Sequence, residues 1–284
     1  MARLIPPNSS NLQPKCLNFK HTKRPPVPLQ CSAYLSPNEG APMPFEPSKL
    51  SKPSQPYFTD ALFKFLRALK RNNNRTWFTE HRDDYDTHVR LPMLRLLADL
   101  KSKFEKIAPD FICDPRPVGG SMFRIHRDMR FVDPEEGPYK THVSAHFRHH
   151  MHGDGARDVH APGFYLHLEP GSCFYGGGLW RPPTNIRNKI HLAIARDPRA
   201  WLAIKNNKAF ASTFTLEGDM LKKPSPVWRD TLPTALTDDL RRKDFIFSAD
   251  LPPRIVTSTS LPDELLALTR RAHKFMQFLS SAST

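Results

Sequence analysis

The stretch GFYLHLEPGSCFYGGG, residues 163–178, decides the fold. In its first half Phe164, Leu166 and Leu168 alternate with Tyr165, His167 and Glu169, so an extended chain puts three apolar side chains on one face and three polar ones on the other. A helix would scatter both sets. The run therefore predicts a strand with one face in a core and the other carrying polar chemistry. After the Pro170–Gly171 break, residues 172–176 read as a second strand, and period-two runs at 122–125 and 139–147 add two more. Gly176, Gly177 and Gly178 permit backbone geometry or close approach that other residues resist. No GK[ST] follows them, so a bulge or sheet corner is expected rather than a phosphate loop.

Outward from these strands the period changes. Thr59 is placed to cap a helix through Ala61, Leu62, Phe65, Leu66 and Leu69, with Asn72, Asn73 and Asn74 ending it. A second helical stretch carries Trp77, Phe78, Tyr85 and Val89, and a third, after Pro92, carries Leu96, Leu97, Leu100, Phe104 and Ile107. On the far side, Thr184 is the expected cap of a helix over Ile186, Ile190 and Ile194. Pro262 starts a last helix through Leu265, Leu266, Leu268, Phe275 and Leu279. Helices flanking a block of strands predict an α+β fold with a mixed or antiparallel sheet, not a doubly wound one.

The chain has 284 residues, 39% hydrophobic and 25% charged, enough for a sizeable core. No apolar run reaches the about 18 residues of a spanning helix, so a soluble or peripheral protein with no membrane partner is expected. Cys16, Cys31, Cys113 and Cys173 form no CxxC pair and signal neither a zinc knuckle nor a disulfide framework; Cys16 and Cys31 lie in the tail, and buried thiols are expected at Cys113 and Cys173. The formal net charge of +14 suggests nucleic acid, but residues 1–38 hold five basic residues and no acid, so a third of the excess belongs to the tail.

That tail, rich in Ser, Asn and Pro, has the composition of an organelle transit peptide, with PLQCSA, residues 28–33, as a plastid processing site and residues 1–32 as the peptide. Its six prolines between Pro6 and Pro28 would break the helix of a mitochondrial presequence. The alternative is an untargeted disordered extension of a cytoplasmic protein. Residues 39–56, rich in Pro and Ser, read as a linker, which leaves one α+β domain over 57–280.

Two constellations carry chemistry. In RIHRDMRF and PYK, Arg124, Arg127 and Arg130 recur every three residues around Asp128, and Tyr139 and Lys140 follow a Pro- and Gly-containing turn. Guanidinium forks hold a carboxylate or phosphate through paired hydrogen bonds, so these residues form a candidate anion pocket in which Asp128 orients an arginine. The competing reading is an ion-pair network that fixes a loop, with Asp128, Asp133 and Glu135 as partners.

The second constellation is seven histidines from His142 to His167, within 26 residues. On one strand His142 and His146 would stand roughly 13 Å apart, too far to share an ion, whereas His167 and Glu169 stand roughly 7 Å apart on one face. With His142 from a neighbouring strand they form a candidate site for a divalent metal made of two histidines and a carboxylate. His149, His150 and His152, near Gly153 and Gly155, read as a loop tip. The sequence contains no G-x-S-x-G elbow, H-E-x-x-H helix, Rossmann glycine pattern or EF-hand loop.

The pattern R-x-x-R-D-x-R-F followed by P-Y-K, at Arg124, Arg127, Asp128, Arg130, Phe131, Pro138, Tyr139 and Lys140, resembles the hallmark of the domain-of-unknown-function 2461 family. Similarity extends to Trp77, Phe78 and Tyr85, to YLHLEPG and GGGLWRP between Tyr165 and Pro182, and to LRRKDF from Leu240 to Phe245. The resemblance implies no particular reaction. It departs at Glu136 or a neighbour, where the family pattern has Lys, and at His142, where it has Asn; the second departure weighs against a metal site common to the family.

Three functions are compatible with these residues. One is an enzyme or small-molecule binder in which Arg124, Arg127 and Lys140 hold an anionic ligand while Tyr139, His167 and Glu169 move protons or ligate metal. The second is a basic module for nucleic acid or an acidic partner; the third is a purely structural ion-pair network. The targeting expectation has its own test. A fluorescent protein fused behind residues 1–45 is expected in chloroplasts, and retention in the cytosol refutes plastid import.

Overall fold

A computed structural model describes residues 54–130, 136–150, 161–224 and 234–284. The tail up to residue 53, with its transit-peptide reading, lies outside the described residues, as do Phe131, Asp133, Glu135, His152, Gly153, Gly155 and His160. The first helix, α1 (Asp60–Arg71), starts where Thr59 accepts a hydrogen bond from the Ala61 amide. Its buried stripe is Leu62, Phe63, Phe65, Leu66 and Leu69; Asp60 in the first turn and Lys70 and Arg71 in the last complement the helix dipole. After α2 (Arg75–Glu80), the next three elements run together: α3 (Arg82–Tyr85), a π-helical turn over Asp86–Arg90, and α4 (Leu91–Ile107). Pro92 therefore does not separate two helices. It sits in the first turn of α4, directly after the widened π turn, where its missing N–H and its ring cost least.

Among the described residues five strands form one sheet in the order β1-β2-β3-β5-β4: β1 (Val143–Arg148), β2 (Gly163–Leu168), β3 (Phe174–Leu179), β4 (Thr215–Glu217) and β5 (Phe245–Asp250). Every neighbouring pair is antiparallel, which resolves the mixed-or-antiparallel expectation. The expected strand 122–125 is reduced to isolated bridges, Met122 to Ala145 and His126 to Tyr139, and it runs beside β1 rather than joining it over its length. The helix expected at Thr184 is α5 (Thr184–Arg196). Thr184 is its first residue, and the cap position belongs to Pro183. Shorter helices α6 (Pro198–Lys205) and α7 (Lys208–Ala211) lead to β4, and α8 (Pro253–Val256) leads to the final helix α9 (Leu261–Ser283).

One face of the sheet is the core: Val143, Ala145, Phe147, Phe164, Leu166, Leu168, Tyr175, Leu179, Phe245 and Phe247 are all buried. Phe104 of α4 stacks on Phe147 and meets Phe164 edge-on, at ring distances of 4.7 and 5.8 Å, while α9 packs on α4, α5 and β3. The buried Tyr175–Thr269 pair is satisfied internally. Thr269 donates its only hydroxyl proton to the Leu265 carbonyl, so the Tyr175 hydroxyl, 2.7 Å from Thr269 Oγ1, is the donor in that pair.

Gly176 and Gly178 lie inside β3 where β5 comes too close for a side chain. A Cβ on Gly176 would sit 2.2 Å from the Phe247 carbonyl oxygen, and one on Gly178, at φ +122°, would sit 1.9 Å from that of Phe245. Just before β5, buried Asp244 accepts from the backbone amides of Arg181 at 2.6 Å and Asp219 at 2.8 Å, tying together the chain after β3 and the chain after β4. Asp244→Ala strands both donors. It is expected to lower stability by about 3 kcal/mol in urea unfolding; a loss under about 0.5 kcal/mol, the usual effect of a surface change, would show that water replaces the carboxylate.

Candidate functional site

Register, more than sequence spacing, assembles the site. Ser144 faces His167 and His146 faces Tyr165 across β1 and β2, and His167 in turn faces Phe174 of β3. Val143 pairs with Leu168, so His142 and Glu169 meet on the next rung, off the strand ends. Directly opposed residues hold their Cβ atoms about 4.5–5.5 Å apart, closer than the roughly 7 Å between alternate residues of one strand. The polar face of the sheet thus gathers His142, His167 and Glu169, with Ser144 and Tyr165 alongside.

Their ligating atoms all lie within 4.8 Å of one another. His167 Nε2 is 3.3 Å from Glu169 Oε2, and its Nδ1 is 3.3 Å from the Tyr165 hydroxyl. The His142 ring lies 4.4 Å from that of His167, and Phe174 stacks on the His167 ring at 4.8 Å and 14°. Thr141 donates to Glu169 Oε1 at 3.4 Å. Burial, helped by His167 and Lys140, pushes His142 down to about 3, so its imidazole is neutral at any physiological pH. The hydrogen bond from His167 holds Glu169 below its ordinary value, and burial raises Tyr165 to about 12. Two imidazole edges, that of His142 neutral, and an ionised carboxylate converge at one point. That donor set suits a divalent cation, and the His167–Glu169 pair also suits proton transfer.

The basic segment folds back beside this face. Arg127 N donates to the Pro138 carbonyl and Lys140 N to that of Ile125, both at 2.8 Å, which brings residues 125–127 alongside 138–140. Lys140 Nζ donates to the Arg124 carbonyl at 3.0 Å and lies over the Phe123 ring. Burial first, then the charges of Arg124 and Arg127, lower it to about 8. No acid pairs with Lys140 or with the exposed Arg124 guanidinium among the described residues.

The other expected anion ligands are differently engaged. Arg127 donates from Nε to the Tyr139 carbonyl at 2.8 Å and pairs with Glu136. Arg130 and Asp128 pair with each other at 2.6 Å out in solvent, and the hydrogen bonds from Arg130 hold Asp128 at about 2. Tyr139 is buried on the opposite side of the chain from Lys140, its ring stacked on Phe78 at 4.1 Å. No hydrogen bond or ring contact joins it to His142, His167 or Glu169 among the described residues. The structure therefore brings His142, His167 and Glu169 together, sets Lys140 two residues before His142 with its ammonium on the Arg124 carbonyl, and leaves Arg130, Asp128 and Tyr139 apart. Cys113 and Cys173 are buried and free, and burial raises both thiols.

Asn73 was read only as a helix terminator. Its amide donates to the carbonyls of Glu136 and Tyr139 at 2.9 Å each, and its Oδ1 accepts from the Tyr139 amide at 3.0 Å. A Cβ on Gly137 would strike Asn73 at 2.5 Å, so the turn can close on it only with glycine there. Nothing local in the sequence marks this contact, which spans more than sixty residues. Tyr165 was legible as a polar-face residue, but its bond to His167 was not.

The fold and site define an α+β protein with helices over one face of an antiparallel sheet and a polar histidine and carboxylate cluster on the other. The chain belongs to the conserved hypothetical protein family DUF2461, whose model matches residues 61–278. No curated protein and no solved structure is matched by the chain. Among the described residues no helix is long and apolar enough to cross a membrane. Asn73→Ala removes three hydrogen bonds that hold residues 136–140 to the helical layer. It is expected to cost about 1–3 kcal/mol and to speed amide exchange at Tyr139; unchanged exchange there would show that Asn73 does not hold the segment.

Proposed function

We propose that the polar sheet face is a small-molecule site, in an enzyme or a binding protein, where His142, His167 and Glu169 hold a divalent metal ion and Arg124 and Lys140 hold an anionic ligand. The observation that carries this reading is the convergence of three ligating atoms within 4.8 Å, drawn from two neighbouring chain segments. A cation there would take the lone pair of His167 Nε2. Nδ1–H would then donate to the Tyr165 hydroxyl, the kind of outer partner that fixes a ligating imidazole. The metal would supply a polarising charge or an acidified water, and the basic pair would position a carboxylate or phosphate. His142 stands where the family pattern has Asn, so the three-ligand set is read as a property of this chain.

A second reading, proton transfer without metal, is favoured by the Tyr165–His167–Glu169 hydrogen-bond chain. Tyr139 drops out of that role because of its place in the core. Nucleic-acid binding remains the reading of the basic surface alone, and it predicts steep salt dependence. The plastid stroma is the proposed location, resting on the composition of residues 1–38.

Zinc titration with native mass spectrometry separates these readings. His167→Ala and Glu169→Ala are expected to lose one bound zinc, or at least about 100-fold in affinity, more than is lost when only an orienting partner is removed. Arg124→Ala should keep that zinc and weaken phosphate binding. Wild-type zinc stoichiometry and affinity in His167→Ala would reject the metal reading, and unchanged phosphate binding in Arg124→Ala would reject the anion pocket.

A further inference from the structure

At the opposite end of β1 a second group of ligating side chains comes together. Asp110 follows the end of α4, and His149 and His150 follow the last residue of β1; one ligating atom from each lies within 4.8 Å of the others. Backbone pairing builds this corner. Ile112 N donates to the Arg148 carbonyl and His150 N to the Asp110 carbonyl, each at 2.9 Å, and Phe111 bridges to His149. The two chain segments are thus in register before any side chain is considered.

The histidine geometry carries the inference. His150 Nδ1 is 2.9 Å from the Asp110 carbonyl oxygen, and a carbonyl only accepts, so Nδ1 bears the proton. In the neutral ring Nε2 then keeps its lone pair, and it has no hydrogen-bond partner among the described residues. A backbone carbonyl that fixes the tautomer while the other nitrogen stays open is the arrangement that orients metal-binding imidazoles. His149 is 7% exposed, and its ring lies 4.9 Å from that of His150 at 14°. At metal–ligand distances of about 2.0–2.1 Å, tetrahedral ligands stand roughly 3.3 Å apart. The ligating atoms start within 4.8 Å of one another, so the three side chains have to close by at most roughly 1.5 Å. A third imidazole, His273 of α9, lies within electrostatic reach of the Asp110 carboxylate, and its Nδ1 is buried without a hydrogen-bond partner.

We infer that Asp110, His149 and His150 form a second metal site, for a divalent cation of the zinc class. Three protein ligands leave the remaining position to water. The site joins the end of α4 to the end of β1, so the ion acts as a clip between the helical layer and the edge of the sheet. It shares no residue with the cluster at His142 and does not depend on that cluster binding metal.

Zinc binding to the full chain in the His167→Ala background isolates it. One zinc should remain per chain, and adding either His150→Ala or Asp110→Asn should remove it or weaken it at least about 100-fold. His150 is exposed and Asp110→Asn is isosteric, so circular dichroism should show both variants folded. Zinc should also protect the amides of Ile112 and His150 from exchange, and this protection should vanish in His150→Ala. No zinc in the His167→Ala protein, or wild-type affinity retained after either further substitution, overturns the inference. Failure at this site leaves the His142 cluster untouched, because that reading is scored on the ion lost with His167.

Discussion

The antiparallel register of β1 and β2 is the constraint on which the rest depends. Pairing Val143 with Leu168 and Ser144 with His167 sends Ala145, Phe147, Phe164 and Leu166 to the helices and leaves His142, His167 and Glu169 on the other face. A slip of one residue would exchange the two faces at once, burying imidazoles under α4 and α9 and exposing the phenylalanines. Hydrophobic burial therefore determines the geometry of the polar cluster, although none of the apolar residues that bury contributes chemistry to it. The helical layer adds to this lock through Phe104, whose ring touches one aromatic from each of the two strands.

The RIHRDMRF and PYK segments divide into residues that build and residues that face outward. Arg127 spends its guanidinium on the Tyr139 carbonyl and Glu136, and Asn73 holds the same turn from the helical side. These contacts belong to the ion-pair and hydrogen-bond network that the sequence offered as an alternative to an anion pocket. Arg124 and Lys140 are different: neither has an acidic partner among the described residues, and Lys140 is held partly out of water. Structural and functional readings of the motif thus apply to different residues within it. In LRRKDF the residues named are structural: Asp244 serves backbone amides, and Leu240 and Phe245 serve the core.

The β2 alternation, the apolar stripe of α1 and the last helix were legible because each depends on side chains two to four positions apart. β4 and β5 were not anticipated. β4 has three residues, too few to show a period, and FIFSAD sits beside a charged run that hides its alternation of buried Phe245 and Phe247. Residues 122–125 had strand-like composition yet form only bridges, since pairing depends on what the neighbouring backbone offers. The glycine triplet was rightly read as punctuation of a sheet rather than a phosphate loop, but which carbonyls press on it could not be read from the triplet.

By itself the sequence determined which residues are amphipathic partners, where helices begin, and that His167 and Glu169 share a strand face. Those are local properties, set by the two- and 3.6-residue periods of the backbone. Only the tertiary structure decided that His142 lies across from Glu169, that Asn73 grips the PYK turn, that Tyr139 faces the core, and that Asp110 meets His149 and His150. Each of these depends on strand register or on the docking of segments far apart in the chain. Those are chosen by the burial energy of the whole core, which no short stretch of sequence contains.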